Sequence, residues 1–144
     1  MAARPGKVGS VLVDSGAWIA LLSARDQHHA EADAAFRRAV REKVRLVTTN
    51  LVLAEVHRLL LFRAGIRAAA SALDRIADSA HVDLVYPGAA EHQAAKSWIQ
   101  RLDDQRLTYT DAVSFAVMQS KKCDAVLGFD HDFLVAGFRF WRET

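Results

Sequence analysis

The sequence predicts an α/β fold in which a parallel sheet is covered by helices on both faces. Short apolar, β-branched runs alternate with helical segments along the whole chain. Parallel strands need crossover connections, which are usually right-handed helices. The 144 residues, 51% hydrophobic and 25% charged, also have the size and composition of one soluble globular domain. These observations favour a single domain over a disordered or fibrous chain.

The first half of the chain is predicted to contain two strands, each followed by helices. In chain order the elements are a strand at Ser10–Val13, a short helix at 16–22, a helix ending near residue 40, a strand at 46–48 and a helix at 51–62. Asp26 is the predicted N-cap of the second helix and Asn50 that of the third. Gly65 is predicted to end the third helix.

The second half continues the alternation. Its predicted elements are a helix at 66–80, a strand at 82–86 closed by Pro87 and Gly88, a helix at 89–102, a helix from Thr108 or Thr110 to residue 120, a strand at Ala125–Leu127, a helical turn around Asp132 and a last strand at 138–141. In such a sheet, ligands bind beyond the carboxyl ends of the strands. Residues directly after strands are therefore the first candidates for function.

The N-terminal segment and the cysteine content limit the classes of protein that are expected. Residues 1–7 are predicted to form a flexible arm, followed by a single domain at 8–144. Asp14 interrupts the apolar stretch that follows, so neither a signal peptide nor a membrane span is expected. Cys123 is the only cysteine, which excludes an intramolecular disulfide and a cysteine-based zinc cluster. We therefore expect a cytoplasmic protein without a membrane partner.

Two acidic residues follow predicted strands. Asp14 comes directly after the first strand, and Asp130 follows the strand at Ala125–Leu127 after two residues. Both are well placed for a ligand at the carboxyl edge of the sheet. The alternative is that each carboxylate caps the helix or turn behind it, as Asp often does. Neither residue alone indicates catalysis.

Two further acids lie in apolar helical surroundings. Glu55 has Leu51, Val52 and Leu59 as helical neighbours, so its carboxylate lies on or beside a buried stripe. An unpaired charge there is costly, and the alternatives are an ion pair, for example with Arg58, or a bound cation. Asp111 lies in the first turn of its helix, where a capping box or the helix dipole also accounts for a carboxylate.

The convergence of all four acids would indicate a metal site. Carboxylates gathered at one strand edge repel one another and raise their own pKa values unless a cation neutralises them. Hard oxygen ligands select Mg²⁺, with Mn²⁺ as the expected substitute. A metal ion held in this way suits phosphodiester hydrolysis, because it lowers the pKa of a bound water and stabilises charge on the leaving oxygen.

Four segments match one known family in order and spacing. They are residues 11–18 with Asp14, 48–56 with Glu55, 110–112 with Asp111 and 127–133 with Asp130. Across nearly its whole length the sequence thereby resembles the PIN-domain ribonucleases, and among them the VapC-like toxins of toxin–antitoxin pairs. The resemblance implies a PIN-like three-layer α/β/α sandwich with a central, mostly parallel five-stranded sheet. It further implies that the four acids form the metal site, that RNA is the substrate and that a small antitoxin protein blocks the enzyme.

The sequence departs from the family pattern near the fourth acid. Family members often carry Thr two residues before it, whereas this chain has Gly128. The departure leaves open whether Asp130 binds metal directly or through water, and whether Asp132 shares the task. Ser15 and Thr110 adjoin two of the acids and could hydrogen-bond a carboxylate or a metal-bound water, although helix capping is the alternative use of each hydroxyl.

The surfaces that contact RNA or protein partners are less well defined by the sequence. The arginines at 37–45 are expected to form an ordinary solvated helix face, and no RNA-binding residue is assigned. The helix pair at 51–80 is so apolar that part of it could receive an antitoxin helix or a second copy of the chain, with packing inside the monomer as the alternative. The family resemblance favours a homodimer.

Three other functions remain as alternatives. The chain could be a PIN-type nuclease of RNA maturation or decay without an antitoxin. It could be a non-catalytic binding module, in which the acids serve as caps and ion pairs. A phosphotransfer receiver domain is disfavoured, because such domains need a lysine late in the sheet and no lysine follows Leu127.

Overall fold

The computed structural model describes residues 8–142 and shows a five-stranded sheet between two layers of helices. The predicted flexible arm at 1–7 lies outside the described residues. The strand order is β3-β2-β1-β4-β5, and all four pairings are parallel. This confirms the predicted α/β class and makes the sheet of the described chain entirely, rather than mostly, parallel.

The elements follow the predicted alternation. The strands are β1 (Ser10–Val13), β2 (Arg45–Thr49), β3 (Val82–Val85), β4 (Ala125–Leu127) and β5 (Arg139–Phe140). The helices are α1 (Ser15–Leu22), α2 (His29–Glu42), α3 (Asn50–Ala64), α4 (Ile66–Ala77), α5 (Ala89–Arg101), α6 (Tyr109–Lys121) and α7 (Asp132–Val135). Most boundaries lie within a few residues of the predicted ones.

The alternation of side chains along β1 explains the three layers. Val11 and Val13 point into a core formed with α1 to α4, whereas Leu12 points into a second core formed with α5 to α7. Successive side chains of a strand face opposite sides of the sheet, so a continuous apolar run fits a strand buried on both faces. These two valines and the leucine between them are completely buried.

Two predicted helix caps were wrong. The cap of α3 is Thr49, whose hydroxyl accepts a hydrogen bond from the Val52 N–H at 3.1 Å, and Asn50 is already helical. Asp26 does not cap α2, because its carboxylate accepts from the His28 N–H at 2.8 Å and closes a turn before the helix begins at His29. Of the two predicted openers of α6, Thr108 is the cap.

The chain order of the strands creates a crevice. The chain starts in β1, adds β2 and β3 on one side, and then returns to add β4 and β5 on the other side. The direction of winding therefore reverses between β1 and β4, and ligand sites of open parallel sheets lie at the carboxyl ends of such a pair. Asp14 follows β1, and the loop with Asp130 follows β4.

The hairpin of α3 and α4 is only partly covered. Leu60 is buried, whereas Phe62 is 79% exposed and Ile66 is 77% exposed at the turn between the two helices.

None of the helices in the described part of the chain combines the length and the apolarity needed to cross a bilayer.

Candidate metal centre

Asp14 is held at the end of β1 by its backbone. Its N–H donates to the Leu127 carbonyl at 2.9 Å and extends the pairing of β1 with β4. The residue is the N-cap of α1 by position, but its side chain makes no capping hydrogen bond. Its Oδ1 atom is buried without a hydrogen-bond partner. A buried carboxylate oxygen of this kind is costly unless a cation or a water binds it.

A buried polar network fixes the strand end before Asp14. The Thr48 hydroxyl donates to the Val13 carbonyl at 3.2 Å and accepts from the Trp18 indole N–H, also at 3.2 Å. All three residues are buried. Sequence reasoning missed this positioning role of Thr48, although a polar residue in a buried strand is a signal for such a network.

Asp111 reaches the same edge from the opposite layer. Thr108 caps α6 by accepting from the Asp111 N–H at 3.1 Å, so the hydroxyl of Thr108, rather than the carboxylate of Asp111, caps the helix. Residues 111–118 of α6 are all buried. The apolar helix therefore packs against the sheet and brings its one acidic residue to the crevice.

Asp130 completes a group of three carboxylates. Asp14, Asp111 and Asp130 each offer one carboxylate oxygen, and these three oxygens lie within 4.8 Å of one another. Asp130 is the least buried of the three, and its Oδ1 also accepts from the Asp132 N–H at 2.9 Å. Asp130 therefore caps this turn, which was the alternative role, and also belongs to the group of three carboxylates.

Glu55 lies beside this group but outside it. Its half-buried carboxylate is close enough to raise the pKa values of Asp14 and Asp111, and the neighbouring Ser15 hydroxyl partly offsets the rise in the pKa of Glu55 itself. Within residues 8–142, none of the four acids forms an ion pair with Arg, Lys or His. The alternative explanation of Glu55 through Arg58 is therefore wrong.

The carboxylates shift one another's pKa values upward. Burial, followed by the charges of Glu55 and Asp130, raises the pKa of Asp14 from 3.8 to about 7. Burial and the neighbouring charges of Asp14 and Asp130 raise the pKa of Asp111 to about 8. Burial and the charge of Asp130 also raise the pKa of Glu55. Among residues 8–142, no positively charged side chain offsets these upward shifts in the pKa values of Asp14, Glu55 and Asp111.

The donor set fits a hard divalent cation. Mg²⁺ and Mn²⁺ prefer carboxylate oxygens, and one such ion offsets two of the negative charges gathered here. The unpartnered Oδ1 of Asp14 supports the same conclusion, because metal binding would satisfy it.

The remaining predicted site residues lie around the three carboxylates. Ser15, in the first turn of α1, lies near Glu55 and lowers the pKa of that carboxyl group. Thr110 is half-buried next to Asp111. Asp132 lies outside the group of three, and burial together with the charge of Asp130 raises its pKa. His131 is an exposed residue of the turn.

Gly128 allows β4 to pass close to Asp14. A Cβ atom at position 128 would lie 3.1 Å from the Cβ of Asp14 and 3.8 Å from its Oδ2. Any larger side chain, including the Thr found in other family members, would push against Asp14 in this chain unless the strands moved apart. The absence of a side chain at Gly128 therefore leaves room for the Asp14 side chain at this edge of the sheet.

Replacing Gly128 by Ala should reduce RNA cleavage by about tenfold, because a displaced ligand holds its metal less well. Cleavage rates at saturating and limiting Mn²⁺ would measure the effect, and the loss should be larger at limiting metal. Gly9→Ala is the matched control, since a Cβ there meets no atom within 4 Å. Equal activity of both variants would show that the Gly128 contact does not position Asp14.

Fold and site together define a class of protein, namely α/β nucleases that bind metal with acidic residues at the carboxyl edge of the sheet. A profile described as "PIN domain" matches residues 11–139. The chain belongs to the PIN-domain family, and within it to the VapC-like toxins, which are metal-dependent ribonucleases.

Two comparisons support this membership. The chain is 38% identical over 130 residues to the "23S rRNA-specific endonuclease VapC20" of Mycobacterium tuberculosis, found in two strains, and the match covers 89% of this chain and 95% of that protein. The crystal structure of Mycobacterium tuberculosis VapC20, described as a "Sarcin-Ricin loop cleaving toxin", superimposes with a TM-score of 0.81 at 35% identity, covering 92% of this chain and 99% of the other.

Proposed function

We propose that this chain is a Mg²⁺-dependent endoribonuclease whose metal ligands are Asp14, Asp111 and Asp130. Mn²⁺ should substitute for Mg²⁺. The observation that carries the proposal is the convergence of these three carboxylates at the β1–β4 crevice, where none of them pairs with a cationic side chain of the described part of the chain. Glu55, which is outside the group of three, would act in the same centre by accepting a hydrogen bond from a water rather than by holding the ion.

In the reaction, the side chains of the protein would position the metal ion and the water at the crevice. Bound Mg²⁺ would lower the pKa of a water and stabilise charge on the leaving oxygen. The three aspartates would hold the ion at the crevice, and the half-buried Glu55 would orient a water by accepting its hydrogen bond. Ser15, whose hydroxyl favours the ionised form of Glu55, is proposed to orient this carboxylate. Thr110 and Asp132 are proposed to orient water at the rim of the centre.

The substrate we propose is the sarcin–ricin loop of 23S rRNA. Support comes from the descriptions of one relative, VapC20, which is called specific for 23S rRNA and, in its crystal structure, a toxin that cleaves this loop. Because the match covers nearly the whole length of both chains, this inference is stronger than one that rests on a shared domain alone. A ribosomal substrate implies that the protein acts in the cytoplasm.

We also propose that a cognate antitoxin restrains the enzyme. The toxin is proposed to be a homodimer in which each protomer consists of a single PIN-like domain at 8–144. The exposed Phe62 and Ile66 at the turn between α3 and α4 support a protein contact at this end of the hairpin. Exposed large apolar side chains that lie together are typical of protein interfaces.

The test is cleavage of an RNA hairpin that carries the sarcin–ricin loop sequence. With Mg²⁺ or Mn²⁺ the protein should cut the loop at one position, and EDTA should stop the reaction. A hairpin with the same stem and a scrambled loop is the control. Equal cutting of both hairpins would reject the proposed substrate, while cutting that persists in EDTA would reject the metal-dependent mechanism.

A further inference from the structure

Both tyrosines of the chain lie exposed at the edge of the sheet that bears the acidic centre. The sequence contains two of them, Tyr86 and Tyr109. Tyr86 follows the carboxyl end of β3 and is 71% exposed, and Tyr109 is the first residue of α6 and is 44% exposed. Unstacked bases of single-stranded RNA loops stack on aromatic side chains. Exposed rings beside a centre that cleaves RNA are therefore candidates for contact with a base.

Tyr109 lies in the same helical turn as one of the proposed metal ligands. Asp111, two residues further along α6, reaches the crevice, and Thr110 between them is half-buried. Residues two apart on a helix point in nearly opposite directions, so Tyr109 lies on the side of this turn that faces α5. A base next to the scissile phosphodiester would therefore be within reach of the Tyr109 ring.

His92 holds the Tyr109 ring in place. Its Nδ1 and the Tyr109 hydroxyl share a hydrogen bond of 2.9 Å, which joins α5 to α6. His92 is itself in the first turn of α5, where its backbone N–H donates to the Gly88 carbonyl at 3.1 Å. The Gly88 N–H in turn donates to the Glu91 carboxylate at 3.0 Å. A ring that is fixed before the ligand arrives loses less conformational freedom on binding than a mobile one.

The Tyr109 ring has room for a base on its exposed side. The centroids of the His92 and Tyr109 rings are 5.7 Å apart with 60° between planes, so His92 meets the hydroxyl end of the tyrosine rather than stacking on a face. Among residues 8–142, no other aromatic ring and no guanidinium stacks on Tyr109. The Phe129 ring before Asp130, by contrast, is covered by the His28 ring at 4.0 Å with 14° between planes. Tyr109 is therefore the better stacking surface of the two.

We propose that Tyr109 stacks on a base of the RNA substrate beside the phosphodiester that the acidic centre cleaves, and that His92 is the positioning residue that orients the tyrosine ring. Stacking tolerates any base, because every base has a π-face. Tyr109 thus contributes affinity and orients the strand, and it does not read one particular sequence. This inference rests on the proposed ribonuclease function, but its first test needs neither metal nor cleavage.

The first test uses Tyr109 as its own reporter. Protein labelled with fluorotyrosine gives one fluorine NMR signal for each of the two tyrosines, and the Tyr109→Phe and Tyr86→Phe proteins assign them. In EDTA, titration with short single-stranded oligoadenylate or oligouridylate should shift the Tyr109 signal. An oligomer with the same sugar–phosphate backbone but without bases should leave that signal in place.

Two results of this titration would overturn the proposal. Equal shifts with the base-bearing strands and with the abasic strand would indicate a contact with the phosphate backbone. The absence of any shift at Tyr109 with either base-bearing strand would show that no base stacks there.

Variants of the two tyrosines test whether the ring binds RNA. Tyr109→Ala should weaken oligoadenylate binding in EDTA about tenfold, and raise KM for the RNA hairpin by a similar factor with kcat nearly unchanged. The matched control is Tyr86→Ala, which removes a more exposed tyrosine at the same edge, where β2 separates its strand from β1. An unchanged affinity in Tyr109→Ala, or an equal loss in Tyr86→Ala, would contradict the proposal. A Tyr109→Ala protein that changes its oligomeric state in size-exclusion chromatography but binds RNA like wild type would overturn it in favour of a protein contact.

A double-mutant cycle tests the role of His92. His92→Ala and Tyr109→Phe each remove one partner of the same hydrogen bond but keep the tyrosine-position ring, so each should weaken RNA binding only about twofold. The two changes together should cost no more than either alone, and His92→Ala should have no effect in the Tyr109→Ala protein. An effect of His92→Ala that persists in the Tyr109→Ala protein would show that His92 does not act through Tyr109.

A final variant separates this proposal from the proposed function. Asp14→Asn should lose cleavage but keep the RNA-induced shift at Tyr109. If the wild-type protein cuts no RNA yet shows the shift, the ribonuclease proposal fails and the stacking site stands. If it cuts RNA with no shift, the stacking site fails and the ribonuclease proposal stands.

Discussion

Asp14→Asn is expected to abolish RNA cleavage while making the metal-free protein more stable. Asparagine keeps the shape of the side chain beside Gly128 but removes the charge that would hold the metal. Loss of groups that merely support a metal ligand typically costs 10- to 100-fold in affinity or activity, so loss of the ligand itself should cost at least about 100-fold. Cleavage of the RNA hairpin at saturating Mg²⁺ measures this effect.

The stability gain follows from the raised pKa of Asp14. Ionising a group whose pKa rises from 3.8 to about 7 on folding costs the metal-free native state about 4 kcal/mol near neutral pH. The asparagine side chain carries no charge, so the variant avoids much of this cost, and the free energy of unfolding in EDTA should rise by roughly 1–3 kcal/mol at about pH 8. Urea denaturation monitored by circular dichroism gives this value.

The control is Asp103→Asn, which removes an exposed acid between α5 and α6. It should change neither cleavage nor stability, since exposed substitutions usually have small effects. An Asp14→Asn protein that cuts RNA at the wild-type rate, or that unfolds more easily than wild type in EDTA, would show that Asp14 is a structural residue.

The metal-free protein is also expected to lose stability as the pH rises from about 4 to about 8. Because the native pKa values of Asp14 and Asp111 are raised, the native state binds more protons than the unfolded state in this interval, and the free energy of unfolding must fall with increasing pH. Below the unfolded value of 3.8, both states are protonated and this loss is absent. Mg²⁺ should restore stability mainly at the upper end, where the carboxylates are ionised and can bind it.

Urea denaturation at several pH values, with EDTA and with Mg²⁺, would measure this dependence. The two curves should nearly coincide in acid and separate above about pH 7. Asp14→Asn should have a flatter curve in EDTA. A metal-free protein whose stability rises steadily over the same interval would contradict the pKa shifts of the centre.

The fold was largely predictable because its signals are local. Each buried strand appears as a short apolar run, and each crossover helix has its own apolar periodicity. Positions after strands could be assigned to one edge without knowing the strand order, because parallel strands share their direction. This reasoning placed Asp14 and Asp130 at one edge, whereas Asp111 and Glu55 were assigned to the same centre by the family resemblance.

What could not be predicted depends on distances between elements. Thr49 and Asn50 are adjacent polar residues, and only the extended backbone of Thr49 (φ −120°, ψ 161°) distinguishes the cap from the first helical residue. The position of Glu55 beside the group, rather than in it, depends on how closely α3 approaches the crevice. The role of Gly128 depends on the register between β1 and β4, which pairs Val13 with Leu127.

Anomalous diffraction from crystals soaked in Mn²⁺ tests the central claim most directly. A peak within coordination distance of Asp14, Asp111 and Asp130, which is lost in crystals of the Asp14→Asn protein, is the expected result. Crystals that bind Mn²⁺ only elsewhere, or in which all three carboxylates are neutralised by arginine or lysine side chains, would contradict the proposal of a metal-dependent ribonuclease centre.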